Sequence, residues 1–243
     1  MMNDIPIPEA DLSPLPEPVA RYLRRCGVVG KRPIQTVRLR QRGTFKMSET
    51  SDWAKLTAEQ HYTIDPPSFV WRATITPFPL APVKVVDAFT AGRGLLEAKL
   101  FGCFTVARAR GPETDRGELL RFMTEIAWFP TAWLSDYISW QAVNARSARV
   151  TIRYEDRSVT ALVTFDDHDR IVTMEAQRPR IVGAQFSLDP WVTPVWHHTM
   201  VNGFEIPLAG QALWRLPAGD FVYFRGEISD LEYDTEASSR RSA

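Results

Sequence analysis

From residue 34 onward the side chains change character at every second position, and that period decides what the chain can fold into. In Val37-Arg38-Leu39-Arg40-Gln41-Arg42 it is plain, and it returns in Phe69, Trp71, Ala73 and Ile75, which alternate with Val70, Arg72 and Thr74. A period of two belongs to strands with one face buried. Further candidates are 55–64, 84–90, 95–109, 147–154, 158–165, 171–177, 195–201, 204–214 and 220–233. Asn202-Gly203 suits a type I′ hairpin, Asp166 to Asp169 a longer hairpin loop, and Pro217-Ala218-Gly219-Asp220 another, so neighbouring strands should be antiparallel. The expected fold is α+β and mainly antiparallel β: a large curved sheet or half-barrel of roughly ten strands, with an N-terminal helix and a mid-chain helical insertion on its concave side.

The N-terminal helix lies between Pro16 and Gly27, where Val19, Tyr22, Leu23 and Cys26 fall at i, i+3, i+4 and i+7. The insertion spans Pro112 to Leu134, with helical spacing in Leu119, Phe122, Met123 and Ile126. A chain of 243 residues suits one large β-rich domain, placed at 14–234, at about 150 residues per domain. Segments 1–13 and 235–243 are too polar or proline-dotted to offset their ordering entropy and are expected to be flexible tails.

Composition removes several functions. The 29 basic and 29 acidic side chains balance, with no block of like charge, so no nucleic-acid partner is expected. No window reaches the roughly 18 uncharged apolar residues of a transmembrane segment. The start, MMNDIPIPEADLSPLPEP, lacks the regions of a secretory signal, so the expected location is cytoplasmic. Cys26 and Cys103 are isolated and read as buried thiols. No dinucleotide, P-loop, zincin, α/β-hydrolase or EF-hand pattern occurs, and neither a cofactor nor a metal is expected.

The insertion could carry chemistry. At 100° per residue Glu118, Arg121, Glu125 and Trp128 form one stripe, while most other sides of the helix are apolar. Two readings stay open. The stripe is a row of intrahelical ion pairs, with Asp115 and Glu118 forming a capping box, or it faces the concavity of the sheet. Facing inward, Glu125 and Glu118 would serve as a carboxylate acid–base pair tuned apart by burial, with Arg121 orienting charge and Trp128 as an apolar wall. Trp71, Trp196 and Trp214 are further candidates for an aromatic pocket, or for core. His197 and His198 are adjacent, so in a strand they face opposite ways and cannot chelate one metal. A two-residue turn at Asn202-Gly203 would set His198 diagonal to Glu205, a geometry that supports a proton relay as well as a plain structural contact. His61 and His168 are weaker candidates. Arg38, Arg40 and Arg42 share one strand face and meet either solvent or an anion.

The segments PLPEPVARYLRRCGVVG (14–30), GPETDRGELLRFMTEIAWFPTAW (111–133) and LWRLPAGDFVYFRGEI (213–228) resemble a bacterial family known only as a domain of unknown function. That resemblance runs from about Leu15 to Tyr233 and singles out Glu118, Arg121, Glu125, Trp128 and Pro130, but it implies no reaction. At the level of fold, the strand-rich layout is similar to the half-barrel carriers of lipids and lipoproteins. The leading expectation is a cofactor-independent enzyme acting on a small, largely apolar metabolite. The alternatives are a non-catalytic carrier or sensor of a hydrophobic ligand, and a structural or interaction protein; oligomeric state is left open.

Overall fold

A computed structural model describes residues 5–78, 81–183 and 185–234. Its strands follow from the alternation. β1 (Thr36–Phe45) buries Val37, Leu39 and Gln41 and exposes Arg38, Arg40 and Arg42; β2 (Ala54–Thr63) buries Leu56, Ala58, Gln60 and Tyr62. β3 (Ser68–Phe78), β4 (Ala81–Thr90), β5 (Arg93–Leu100) and β6 (Phe104–Ala109) continue the meander to one sheet edge. β7 (Ile138–Asn144) forms the opposite edge, and β8 (Ser147–Tyr154), β9 (Arg157–Phe165), β10 (Ile171–Val182), β11 (Gln185–Val201), β12 (Phe204–Leu216) and β13 (Gly219–Asp234) lead back until β13 pairs with β1. The described residues thus form one antiparallel sheet of 13 strands, curled into a half-barrel.

The count exceeds the expected roughly ten mainly at two places. Segment 95–109 is two strands, because Phe101 (φ 52°) and Gly102 (φ 76°) reverse the chain between them, and Ile138–Asn144 adds an edge strand that the periodicity did not mark. The same reversal corrects the expectation for Cys103, which is exposed in that turn. Cys26 is buried, and burial pushes its thiol up to about 12.

Helix α1 (Glu17–Cys26) begins with proline in its first turn and ends at Gly27, whose φ of 79° is the left-handed cap that glycine adopts at little cost. Its Tyr22 ring meets Trp133 at 6.0 Å and Phe165 at 5.3 Å. The expectation that residues 1–13 are flexible is corrected over their described part. Ile7 and Leu12 are buried, and the Ile7 N–H donates to the Lys31 carbonyl at 2.9 Å, so this stretch seals one end of the core. Residues 1–4 and 235–243 lie outside the described residues.

Because β6 and β7 are the two sheet edges, the chain between them must cross the concave side. It does so as helix α2 (Pro112–Glu125), followed by 3-10 turns at Ile126–Trp128 and Pro130–Leu134. α2 packs on β4 and β5 from one arm of the sheet and on β9 and β10 from the other. The capping box is corrected here. The helix starts at Pro112, so Asp115 lies within it, and its carboxylate instead accepts the Gly94 N–H at 2.6 Å and an Arg157 N–H at 2.7 Å. A Cβ on Gly94 would stand 2.6 Å from the Thr114 carbonyl oxygen and 2.8 Å from the Asp115 nitrogen. Gly94→Ala should therefore lower stability by about 1–3 kcal/mol through overpacking, read from urea unfolding. An unchanged midpoint would mean that α2 does not need its close seat on β5.

Candidate functional site

Three buried strand positions and one half-buried one break the apolar face with a polar side chain: Gln41 after Val37 and Leu39, Gln60 after Leu56 and Ala58, Asp87 between Val83 and Phe89, and half-buried Arg178 after Met174 and Ala176. Each needs a partner, since an unpaired polar group in a core is costly. α2 supplies three of the partners. Its stripe turns inward, with Glu118 only 4% exposed and Glu125 9%.

Arg121 is the hub. Its Nε donates to Glu125 Oε1 at 2.9 Å and its Nη1 to Asp87 Oδ2 at 2.5 Å, while the guanidinium lies 4.6 Å from the Trp71 ring centroid and 5.1 Å from that of Phe69. Glu125 Oε2 accepts from Gln60 Nε2 at 2.7 Å and from the Tyr62 hydroxyl at 2.9 Å. Both carboxylate oxygens of Glu125 are thereby engaged. Glu118 sits deeper: its Oε1 accepts from Arg178 Nη2 at 3.3 Å, and Arg178 also donates to the Gly117 carbonyl at 3.1 Å and stacks 4.5 Å over Trp191. The Tyr223 hydroxyl oxygen takes the Trp191 N–H at 2.9 Å.

Charge counting and the orphan atoms agree on one proton. Asp87 Oδ1 and Glu118 Oε2 are buried and receive no donor from other side chains. Burial first, then the neighbouring Asp87, which hydrogen-bonds it, holds the Glu118 carboxyl well above the usual carboxylate range. A proton on Glu118 would give the two facing carboxyls one donor to share. It also leaves formal charges of two carboxylates against two guanidiniums. Burial works against the Arg121 charge, but Glu125, Asp87 and Glu118 outweigh it and raise its pKa. Burial, then the charge of Glu125, likewise raises Tyr62, which stays a donor.

Beside this row lies a hollow of about 290 Å³ between α2 and the concave face. Ile75, Val85, Leu96, Ala98, Val195 and Leu208 give it an apolar body, and Gln41, Trp71, Asp87, Arg121, Glu125 and Trp128 form its α2 side. Glu118 does not line it. Of the aromatic candidates, Trp71 and Trp128 reach the hollow, whereas Trp214 stacks on Tyr223 behind it and Trp196 is 37% exposed on β11. Both are corrected as wall residues: Trp196 points away from the face on which its neighbour Val195 lines the hollow, and Trp214, opposite Trp191, is buried in the core beyond it. Trp191 also lines the hollow.

The Asn202-Gly203 turn has the expected register, with Met200 opposite Glu205 and His198 opposite Pro207. That corner is separate from the hollow. Glu205 is held by Arg25 at 3.0 Å and Arg170 at 2.9 Å, and although burial alone would raise its carboxyl, these hydrogen bonds bring it below the usual range. Burial, then Arg170, lowers His198. The pair thus reads as an anchor for α1 rather than part of the central site. Arg38, Arg40 and Arg42 are exposed to solvent, with Arg40 paired to Glu59 at 3.1 Å. Gln41, Gln60, Tyr62, Asp87, Arg178 and Tyr223 escaped the sequence reading. For Gln41, Gln60 and Asp87 the signal was a polar residue at an apolar position of a period-two face. Among the described residues no group of three or more His, Cys, Asp or Glu is placed to hold a metal ion, and no helix is long and apolar enough to cross a membrane.

The model of a family of unknown function, DUF6544, matches residues 6–226. No curated protein matches by sequence. Among solved structures, the chain is similar to a LolA superfamily protein from Nitrosomonas europaea at 10% identity and a TM-score of 0.42, over 88% of this chain and 92% of that one. It is also similar to a domain described as an outer membrane lipoprotein-sorting protein from Vibrio parahaemolyticus, at 9% identity and a TM-score of 0.43, over 83% and 86%.

Proposed function

The chain belongs to DUF6544, a family without an assigned activity, and from the geometry of its site we propose that it is a non-catalytic carrier or sensor of a small, largely apolar molecule held between α2 and the sheet. The observation that carries this reading is the division of labour along the stripe. The hollow is apolar over most of its wall, while the ionisable groups beside it neutralise one another. Such a row pins a helix to a sheet, and an apolar cavity with few polar groups is what a hydrophobic ligand needs.

Acid–base catalysis is the less favoured reading. Glu125 faces the hollow with both oxygens already hydrogen-bonded, and Glu118, the carboxyl with the raised pKa, is not part of the wall. A general base must reach the proton that it removes. The Glu118–Arg121–Glu125 assignment as catalytic groups therefore gives way to one in which they position α2.

Native mass spectrometry of the protein purified from its host should show a noncovalent adduct of small mass. Ala98, buried on β5 against the hollow, is the position at which to remove it. Ala98→Trp puts an indole into the cavity and should weaken the adduct about a hundredfold or more, equivalent to ~2.7 kcal/mol, while near-UV circular dichroism reports an intact fold. An adduct retained by folded Ala98→Trp would place the ligand elsewhere.

A further inference from the structure

Two donors on the wall of the hollow have no acceptor among the described residues. Trp71 Nε1 can only donate, so the Gln41 atom that it meets at 2.8 Å is the amide oxygen. The amide NH2 of Gln41 then has no acceptor among the described residues, on a side chain that is only 3% exposed and lines the hollow. On the face of the same indole lies Arg121, whose Nε and Nη1 are engaged by Glu125 and Asp87 and whose Nη2 has no acceptor among the described residues. Two donors thus converge around Trp71 in a wall otherwise apolar toward Ile75, Val85 and Leu96. Neither nitrogen is sealed inside the core, and both residues line the hollow, so donors with no protein acceptor there favour a ligand that supplies one.

We propose that the hollow takes an amphiphile whose apolar body carries one neutral acceptor oxygen, a ketone or an ester carbonyl, and that Gln41 and Arg121 donate to it. A neutral oxygen fits better than a carboxylate. Arg121 already faces Asp87 and Glu125, so an anionic ligand would bring a third carboxylate to one guanidinium at low dielectric. The inference rests on the binding reading above and adds the ligand's polar group to it.

The test titrates heptane, 2-heptanone and heptanoate into wild type, Gln41→Met and Gln41→Glu, following tryptophan fluorescence, since Trp71 and Trp191 line the hollow. Affinities are compared after correction for each probe's transfer from water into hydrocarbon. The expected result is that wild type favours 2-heptanone over heptane about tenfold, that Gln41→Met loses about tenfold for the ketone, and that heptane binding stays within about twofold. Heptanoate at pH 8 should bind more weakly than the ketone. Gln41→Glu keeps the acceptor for Trp71 and lacks the amide donors; it should lose the ketone preference even if Gln41→Met is poorly folded. Equal corrected affinities in wild type, a ketone preference surviving folded Gln41→Glu, or heptanoate as the tightest probe would overturn the inference while leaving an apolar binding site. Failure of all three probes to bind wild type would overturn the carrier reading itself, and this inference with it.

Discussion

Arg121→Met should lower the free energy of unfolding by about 3–5 kcal/mol, read from urea denaturation at neutral pH. The substitution keeps the length of the side chain and removes the cation shared by Asp87 and Glu125, leaving Glu125 with Gln60 and Tyr62, and Asp87 with Glu118 but no cation beside it. The cost comes from the groups left behind rather than from the pair's own worth. Removing all three charges together, as Asp87→Leu, Arg121→Met and Glu125→Leu, should therefore recover much of the loss, since replacing a buried ionic group by apolar residues of similar volume is often close to neutral. A loss below about 1 kcal/mol for Arg121→Met alone would show that the row does not hold α2 in place.

Stability should also depend on pH through Glu118, with a sign opposite to that of an ordinary salt-bridged carboxylate. Its folded pKa is raised, burial being the first cause and Asp87 the second. Below the unfolded value, near 4.5, both states hold the proton and the full contribution is present. As pH climbs past that value the unfolded chain releases its proton while the folded one keeps it. Stability then falls, at up to about 1.4 kcal/mol per pH unit from this group, until the folded carboxyl itself ionises. Glu118→Gln keeps the shape and the neutral state. It should flatten this slope and be nearly isoenergetic with wild type in mildly acidic solution, as followed by denaturation midpoints at a series of pH values. A wild-type slope unchanged by Glu118→Gln would assign the titration to another group.

The α2 stripe itself was legible, because Leu119, Leu120, Phe122, Met123, Ile126 and Ala127 leave the helix apolar on most sides, but whether it faced the sheet or formed an intrahelical ion-pair row stayed open. Its partners were not legible, because which strands face the helix depends on topology. Asp87 and Arg178 lie on opposite arms of the sheet and are linked only through α2, by Arg121 and Glu118 respectively. Local chemistry misled in other places. Pro190 and Pro194 hid the first half of β11, although there the pairing to β12 skips from Val192 to Val195 and makes room for a proline. Gly111 and Pro112 start α2 three residues before Asp115, so the apparent Asp115–Glu118 cap fell inside the helix.

The pairing of β1 with β13 sets the order in which the molecule can be assembled. The two strands stand side by side in the middle of the sheet, with Thr36 opposite Asp234, and they join an arm of five further strands to an arm of six. During synthesis, the seam between these arms must wait until β13, the strand furthest along the chain from β1 among those described, has left the ribosome. Until then, the nascent chain carries an unmatched central strand that neighbouring copies or a chaperone could capture, and loss of β13 would leave two half-sheets with no strand to join them.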